Sequence, residues 1–282
     1  MQPKIVYASV GQSRRGSFCP PLLGTTNQAY AKHFYAALFG WETQDFRTGP
    51  NDDGFLTLFH LQGRVTAMCC SLGHEILDLG LRTPATRSFW LPCVAVESAD
   101  NATARATELG GKILRSSSDV FDWGRMALIE DSAPATYGGA VFAIWEPKNC
   151  SGIAIPDADA SLFWAEMITG RRKHAQFYED LFGWQLVPSK EHASPDLHIH
   201  KGEQLIGGIH LNLNIPPGWL VYFRTGDSDS SKAKARELGA IVDRDVCNKT
   251  VVWDRSTIFS LTSLNSHLQP PGACFGLLGN RP

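Results

Sequence analysis

Phe177-Tyr178-Glu179-Asp180-Leu181-Phe182-Gly183-Trp184 has a twin earlier in the chain, Phe34-Tyr35-Ala36-Ala37-Leu38-Phe39-Gly40-Trp41. Phe34 and Leu38, like Phe177 and Leu181, stand four residues apart, the spacing that places side chains on one face of a helix. Gly40 and Gly183 fall where each helix should stop, because glycine reaches positive φ without a Cβ penalty. Trp41 and Trp184 then open what reads as a strand. Two copies make an internal repeat, and a repeat outranks any local reading.

Around the first copy, Phe18 to Thr25 reads as a strand interrupted by Pro20-Pro21. Proline cannot donate to a sheet ladder, so this strand suits an edge. Thr25-Thr26-Asn27 offers N-cap chemistry to a helix over Gln28 to Phe39. Trp41 to Phe46 is a strand, and Phe55 to Leu61 with Val65 to Ser71 is a hairpin around Gln62-Gly63. The order is β-α-β-β-β. It recurs as strand Trp90 to Val96, a helix capped by Ser98-Ala99-Asp100 and stopped at Gly110-Gly111, and strands Lys112 to Arg115, Arg125 to Glu130 and Ala140 to Trp145.

The second copy sits in strand Leu162 to Ile168, helix Arg172 to Phe182, strand Trp184 to Pro188 and a hairpin Leu197 to Leu211 turning at Lys201-Gly202. Strand Trp219 to Thr225, helix Ser230 to Leu238 and strands Ile241 to Arg244, Thr250 to Asp254 and Thr257 to Thr262 follow. Ala233-Lys234-Ala235-Arg236-Glu237-Leu238-Gly239 matches Ala104-Arg105-Ala106-Thr107-Glu108-Leu109-Gly110 in type and stop signal. The class is α+β: four βαβββ modules in two pairs, with a first domain over 1–149, a linker over 150–160 and a second domain over 161–282. Met1 to Ser17 is expected to be a loose arm.

With 26 Lys and Arg against 28 Asp and Glu, the chain lacks the basic face that phosphate backbones require, which argues against nucleic acid. Arg14-Arg15 and Arg171-Arg172-Lys173 are too short to change that. No apolar run reaches the length of a membrane span, and the N-terminus has no signal-peptide core. The 7 cysteines include no C-x-x-C, so free thiols in a reducing cytoplasm are expected.

On these residues the chain resembles the glyoxalase/bleomycin-resistance/extradiol-dioxygenase superfamily, the vicinal oxygen chelate proteins. Phe-Tyr-x-x-Leu-Phe-Gly-Trp is a hallmark of that group, and Gly124-Arg125-Met126-Ala127 and Gly139-Ala140-Val141-Phe142 are similar to the end of its second module. The resemblance implies two glyoxalase-like half-barrel domains, each curling a pair of modules around its ligand. It also implies metal ligands (His, Gln or Glu) on the first and last strands of paired modules. The residues at those places are Pro21, Ala143, Ala165 and either Ser260 or Leu261, none with a side chain that could take the role. No cofactor is therefore expected. A divalent metal stays open through His198, His200 and His210, since three imidazoles on adjacent strands are a ligand set.

His198 and His200 are two apart on one strand and so share a face, with His210 on the partner strand. They are candidates for acid–base catalysis or for an exposed polar hairpin. Glu166, a charge inside an apolar strand, is a candidate base if it faces the curve of the sheet. A one-residue shift of register decides between it and Ala165. Arg125 could grip a carboxylate or enolate oxygen or form a structural ion pair. Trp164, His210, Asp122, Trp123 and Tyr222 are candidate substrate contacts. Cys69-Cys70, at the hairpin position matching His210, reads as small buried hydrophobes. Trp41, Trp90, Trp184 and Trp219 read as core.

The reading that follows is a metal-independent cyclase, isomerase or lyase of specialised metabolism acting on a hydrophobic small molecule. Sequestration of such a molecule is the second reading, and a metal enzyme using the His cluster the third. Monomer and oligomer are both compatible with the sequence.

Overall fold

The computed structural model describes residues 15–48, 54–72, 88–132, 138–148, 158–170, 172–189, 195–212, 216–246, 249–253 and 273–279. The first half runs β1 (Phe18–Thr25), α1 (Gln28–Phe39), β2 (Glu42–Arg47), β3 (Phe55–Leu61), β4 (Arg64–Ser71), β5 (Phe89–Ala95), α2 (Ala99–Glu108), β6 (Lys112–Val120), β7 (Gly124–Glu130) and β8 (Val141–Pro147). The second runs β9 (Leu162–Thr169), α3 (Arg172–Phe182), β10 (Gln185–Pro188), β11 (Leu197–Lys201), β12 (Gln204–Leu211), β13 (Gly218–Thr225), α4 (Ser228–Glu237), β14 (Ile241–Val246), β15 (Lys249–Trp253) and β16 (Cys274–Gly279).

Each half forms a curled 8-stranded sheet, ordered β2-β3-β4-β1-β5-β8-β7-β6 and β10-β11-β12-β9-β13-β16-β15-β14. This is the α+β, four-module arrangement expected from the repeats. Asn27 caps α1 by accepting from the Tyr30 N–H, and Gly40 ends it at φ 71°.

Three expectations are corrected. β1 is a central strand, not an edge: it pairs with β4 and with β5. Pro20-Pro21 is tolerated because it lies where the β1–β5 register shifts between Cys19 and Leu22, so the missing donors fall in a bulge. The last strand of the second domain is Cys274–Gly279 rather than Thr257 to Thr262, and Ser260 and Leu261 lie outside the described residues. Arg15 to Ser17 do not belong to a loose arm, since the Gly16 N–H bonds to the Ala95 carbonyl at 2.8 Å.

The repeated helices lie between the two sheets. Tyr35 packs edge-on against Trp90 of β5 at 5.2 Å and Phe275 of β16 at 5.5 Å. Tyr178 packs on Phe142 of β8 and Trp219 of β13, each at 5.4 Å. The tryptophan N–H groups repeat the symmetry. Trp90 donates to the Tyr35 hydroxyl and Trp219 to the Tyr178 hydroxyl, at 3.0 and 3.2 Å. Trp41 donates to the Ala160 carbonyl and Trp184 to that of Gly16, at 2.8 and 2.6 Å. Strand alternation sends Leu23, Cys69 and Val94 into this shared core. Their neighbours Leu22, Met68 and Cys93 enter a second core on the concave face of the first sheet.

Candidate active site on the second sheet

The ladders make the two concave faces comparable residue by residue. In the first sheet Leu22 pairs with Met68 and Leu91, and in the second Glu166 pairs with Gly208 and Leu220. Continuing along the strands, Cys70 corresponds to His210, Cys93 to Tyr222, Leu58 to His198 and Ala143 to Gly276. The first set is apolar and buried, at most 4% exposed where the side chain is hydrophobic. The same places in the second sheet carry a carboxylate, two imidazoles, a phenol and two glycines, and Leu220 keeps the apolar character of Leu91. The curve of the first sheet is filled, and that of the second is equipped with polar groups.

Glu166 is the centre of this arrangement. Ala165 faces the helices at 0% exposure, so the register puts Glu166 on the concave side, itself only 3% exposed. Burying a carboxylate is costly unless donors replace its water. Here Oε1 accepts the Trp164 indole N–H at 2.9 Å and Oε2 accepts the Tyr222 hydroxyl at 2.8 Å. His210 Nε2 stands 3.3 Å from Oε2. Burial, reinforced by the charge of Glu166, pushes the Tyr222 phenol well above the usual tyrosine range, so it remains a neutral donor.

The two glycines make room for these donors. A Cβ on Gly276 would overlap the Tyr222 ring, and one on Gly208 would meet Trp164 Cζ2 at 3.3 Å as well as Pro195. Gly276→Ala is therefore expected to displace Tyr222 from Glu166 and to cost about 1–3 kcal/mol as an overpacked core site. Urea unfolding measures this, and a variant as stable as wild type would contradict it.

The expected site residues divide into two groups. Glu166, Trp164, Tyr222 and His210 come together, and the imidazole beside the carboxylate is His210. His198 faces Gly208 across the hairpin, one strand further out, and its ring lies 6.4 Å from that of His200. The other group is in the first domain. Arg125 is held on the α2 side of its sheet by Asp100 at 2.9 Å and Asp119 at 3.0 Å, the structural ion pair of the two readings. Trp123 packs edge-on against Phe46 at 4.7 Å and tilted against Phe121 at 4.4 Å, and Asp122 occupies the exposed turn beside it. Neither Arg125, Asp122 nor Trp123 is brought to Glu166. Burial pushes the Cys70 thiol far up, which leaves it protonated and makes it a core residue. Sequence reading missed Gly208 and Gly276. The signal available was glycine inside a strand, which marks a close approach by another group.

No known protein-family profile matches the sequence. CFP32 of Mycobacterium tuberculosis, provisionally named a glyoxylase, is 26% identical over 264 residues, covering 92% of this chain and 93% of its own. The anthracycline biosynthesis protein DnrV of Streptomyces peucetius is 27% identical over 235 residues, covering 79% and 82%. Among solved structures, the Mn(II)-bound glyoxalase of Novosphingobium aromaticivorans superposes with a TM-score of 0.57 at 13% identity, covering 94% of this chain and 82% of that one. The 2,3-dioxygenase LapB of Pseudomonas sp. KL28 gives a TM-score of 0.57 at 13% identity over 97% and 94%.

The chain has the tandem-domain fold of the vicinal oxygen chelate proteins.

A glyoxalase of that fold holds Mn(II). The strand-borne groups of the cleft in this chain are Glu166 on β9, His210 on β12 and Tyr222 on β13, with Gly276 on β16, which supply one carboxylate, one imidazole and one neutral phenol. The carboxylate oxygens already accept an indole N–H and a phenol O–H. Among the described residues, no group of three or more His, Cys, Asp and Glu stands close enough to hold an ion. These donors do not fit a divalent transition metal, which takes several imidazole, carboxylate or thiolate ligands in a set geometry.

Proposed function

We propose that this vicinal oxygen chelate protein is a metal-independent enzyme, an isomerase, cyclase or lyase, acting on a hydrophobic aromatic molecule in the concave cleft of its second domain. The observation that carries the reading is Glu166: a carboxylate buried on the concave face and oriented by Trp164, Tyr222 and His210, where the first domain has Leu22. Its role is to take a proton from a carbon acid of the bound substrate and return it at another atom, with His210 as the adjacent proton carrier. The walls and their fixed donors orient the substrate for that transfer. The relatives named for anthracycline biosynthesis support an aromatic polyketide as the substrate class.

The test is incubation of protein dialysed against chelator with anthraquinone and anthracyclinone compounds, followed by chromatography and mass spectrometry. An isomerase gives a product of unchanged mass and new retention, and a condensing cyclase one that has lost water. Turnover that persists after chelation is the expected result. Turnover that appears only when Mn(II), Ni(II) or Zn(II) is added back would overturn the metal-independent reading. Stoichiometric binding of the unchanged compound would favour sequestration.

A further inference from the structure

A second feature, where the second domain meets the start of β1, shares Trp164 with the Glu166 site. A cavity of about 350 Å³ opens between the start of β1 and the N-terminal ends of β9 and β12. Its walls include Ser17, Phe18, Phe163, Trp164, Leu205 and Ile206. The volume falls at the lower end of the ~300–1,000 Å³ range of small-molecule sites.

Phe163 is directed outward by a defect in the ladder. Tyr222 pairs with Trp164 and Phe223 with Leu162, so Phe163 has no opposite residue and bulges out at 46% exposure. The Arg224 guanidinium covers its ring at 4.3 Å, which fixes the orientation of an aromatic side chain otherwise open to water. Leu205 beside it is 39% exposed. Ser17 adds a buried hydroxyl that has no hydrogen-bond partner among the described residues, and rotation about χ1 redirects it.

Trp164 belongs to both features. Its indole N–H holds Glu166 Oε1, and the residue is also a wall of the cavity. From Glu166 to Leu162 along β9 is about 13 Å at ~3.3 Å per residue. A single-ring compound does not cover that length, whereas a linearly fused polycycle does. We propose that the cavity binds the apolar rings of an elongated planar aromatic molecule whose reacting end lies against Glu166. This deepens the reading of Glu166 given above and names the shape that the substrate must have. The ring system stacks on Phe163 and Trp164, and Ser17 meets a polar substituent on it.

The test is direct binding of 1,4-dihydroxyanthraquinone to the full-length protein, followed by quenching of tryptophan fluorescence. Wild type and Glu166→Gln are expected to bind it with similar affinity. Phe163→Ala and Leu205→Asp, changes at exposed positions, are each expected to weaken binding about fivefold or more. Val187→Ala, at an exposed apolar residue that does not line the cavity, is expected to leave binding unchanged. The proposal is overturned if wild type fails to bind, if Phe163→Ala and Leu205→Asp both bind like wild type, or if Val187→Ala weakens binding equally. Failure of the Glu166 reading looks different: the probe would bind and respond to Phe163→Ala while Glu166→Gln left turnover intact.

Discussion

Glu166→Gln lowers turnover by about 10²-fold or more, the usual scale for removing a general acid–base group, with little change in substrate affinity or stability. Glutamine keeps the shape of the side chain and one carbonyl acceptor for the Trp164 N–H that now bonds Oε1. The amide nitrogen that replaces the other oxygen faces the Tyr222 hydroxyl, which can turn from donor to acceptor. What the amide cannot do is take up and return a proton. The measurement is kcat and KM for the anthraquinone substrate identified by mass spectrometry, together with urea unfolding of both proteins. A fall in kcat at constant KM assigns Glu166 to the chemical step. A kcat within a few-fold of wild type would remove it from the mechanism.

Phe34→Ala destabilises the protein by about 3–5 kcal/mol, the cost of truncating a fully buried phenylalanine. Phe34 is 1% exposed. It meets Tyr35 edge-on at 5.0 Å, stacks with Tyr30 at 5.9 Å and reaches Phe275 of the second sheet at 6.3 Å. The void therefore opens in the core that both sheets share, and relaxation of one half cannot close it. Against a typical total of about 5–15 kcal/mol this is a large share. Urea unfolding followed by tryptophan fluorescence and by circular dichroism is expected to show one coincident transition, shifted to lower denaturant in the variant. A loss below about 1 kcal/mol, or two separate transitions in wild type, would show that the helices of the first domain do not weld it to the second.

Much of this fold follows from local chemistry. The helix spans Gln28 to Phe39 and Arg172 to Phe182 are read from the 3.6-residue spacing of Phe, Tyr and Leu and from the stops at Gly40 and Gly183, and the structure has the same bounds. The matched tryptophans and the Glu-Leu-Gly helix ends establish the repeat, because each depends only on neighbours along the chain. The position of β1 does not. Pro20-Pro21 excludes ladder bonds at two residues, and whether that means an edge or a bulge within a central strand depends on β4 and β5, some 45 and 70 residues away.

The site is subject to the same limit. The sequence determines that β9 carries one charge in an apolar run, but period-two alternation serves Ala165 and Glu166 equally until a register is chosen. Pairing of Glu166 with Gly208 and Leu220 makes that choice, and with it turns Glu166 to the concave side and Ala165 to the helices. Tertiary structure also selects His210 over His198 and His200, because a partner on the adjacent parallel strand comes within 3.3 Å while one across the hairpin stands a strand further away. It separates Arg125 from the cleft for the same reason, placing it on the opposite face of another sheet. Chain-local spacing specifies helices, stops and repeats. Which face of a strand meets which neighbour is decided by long-range pairing, and only the folded sheet contains that information.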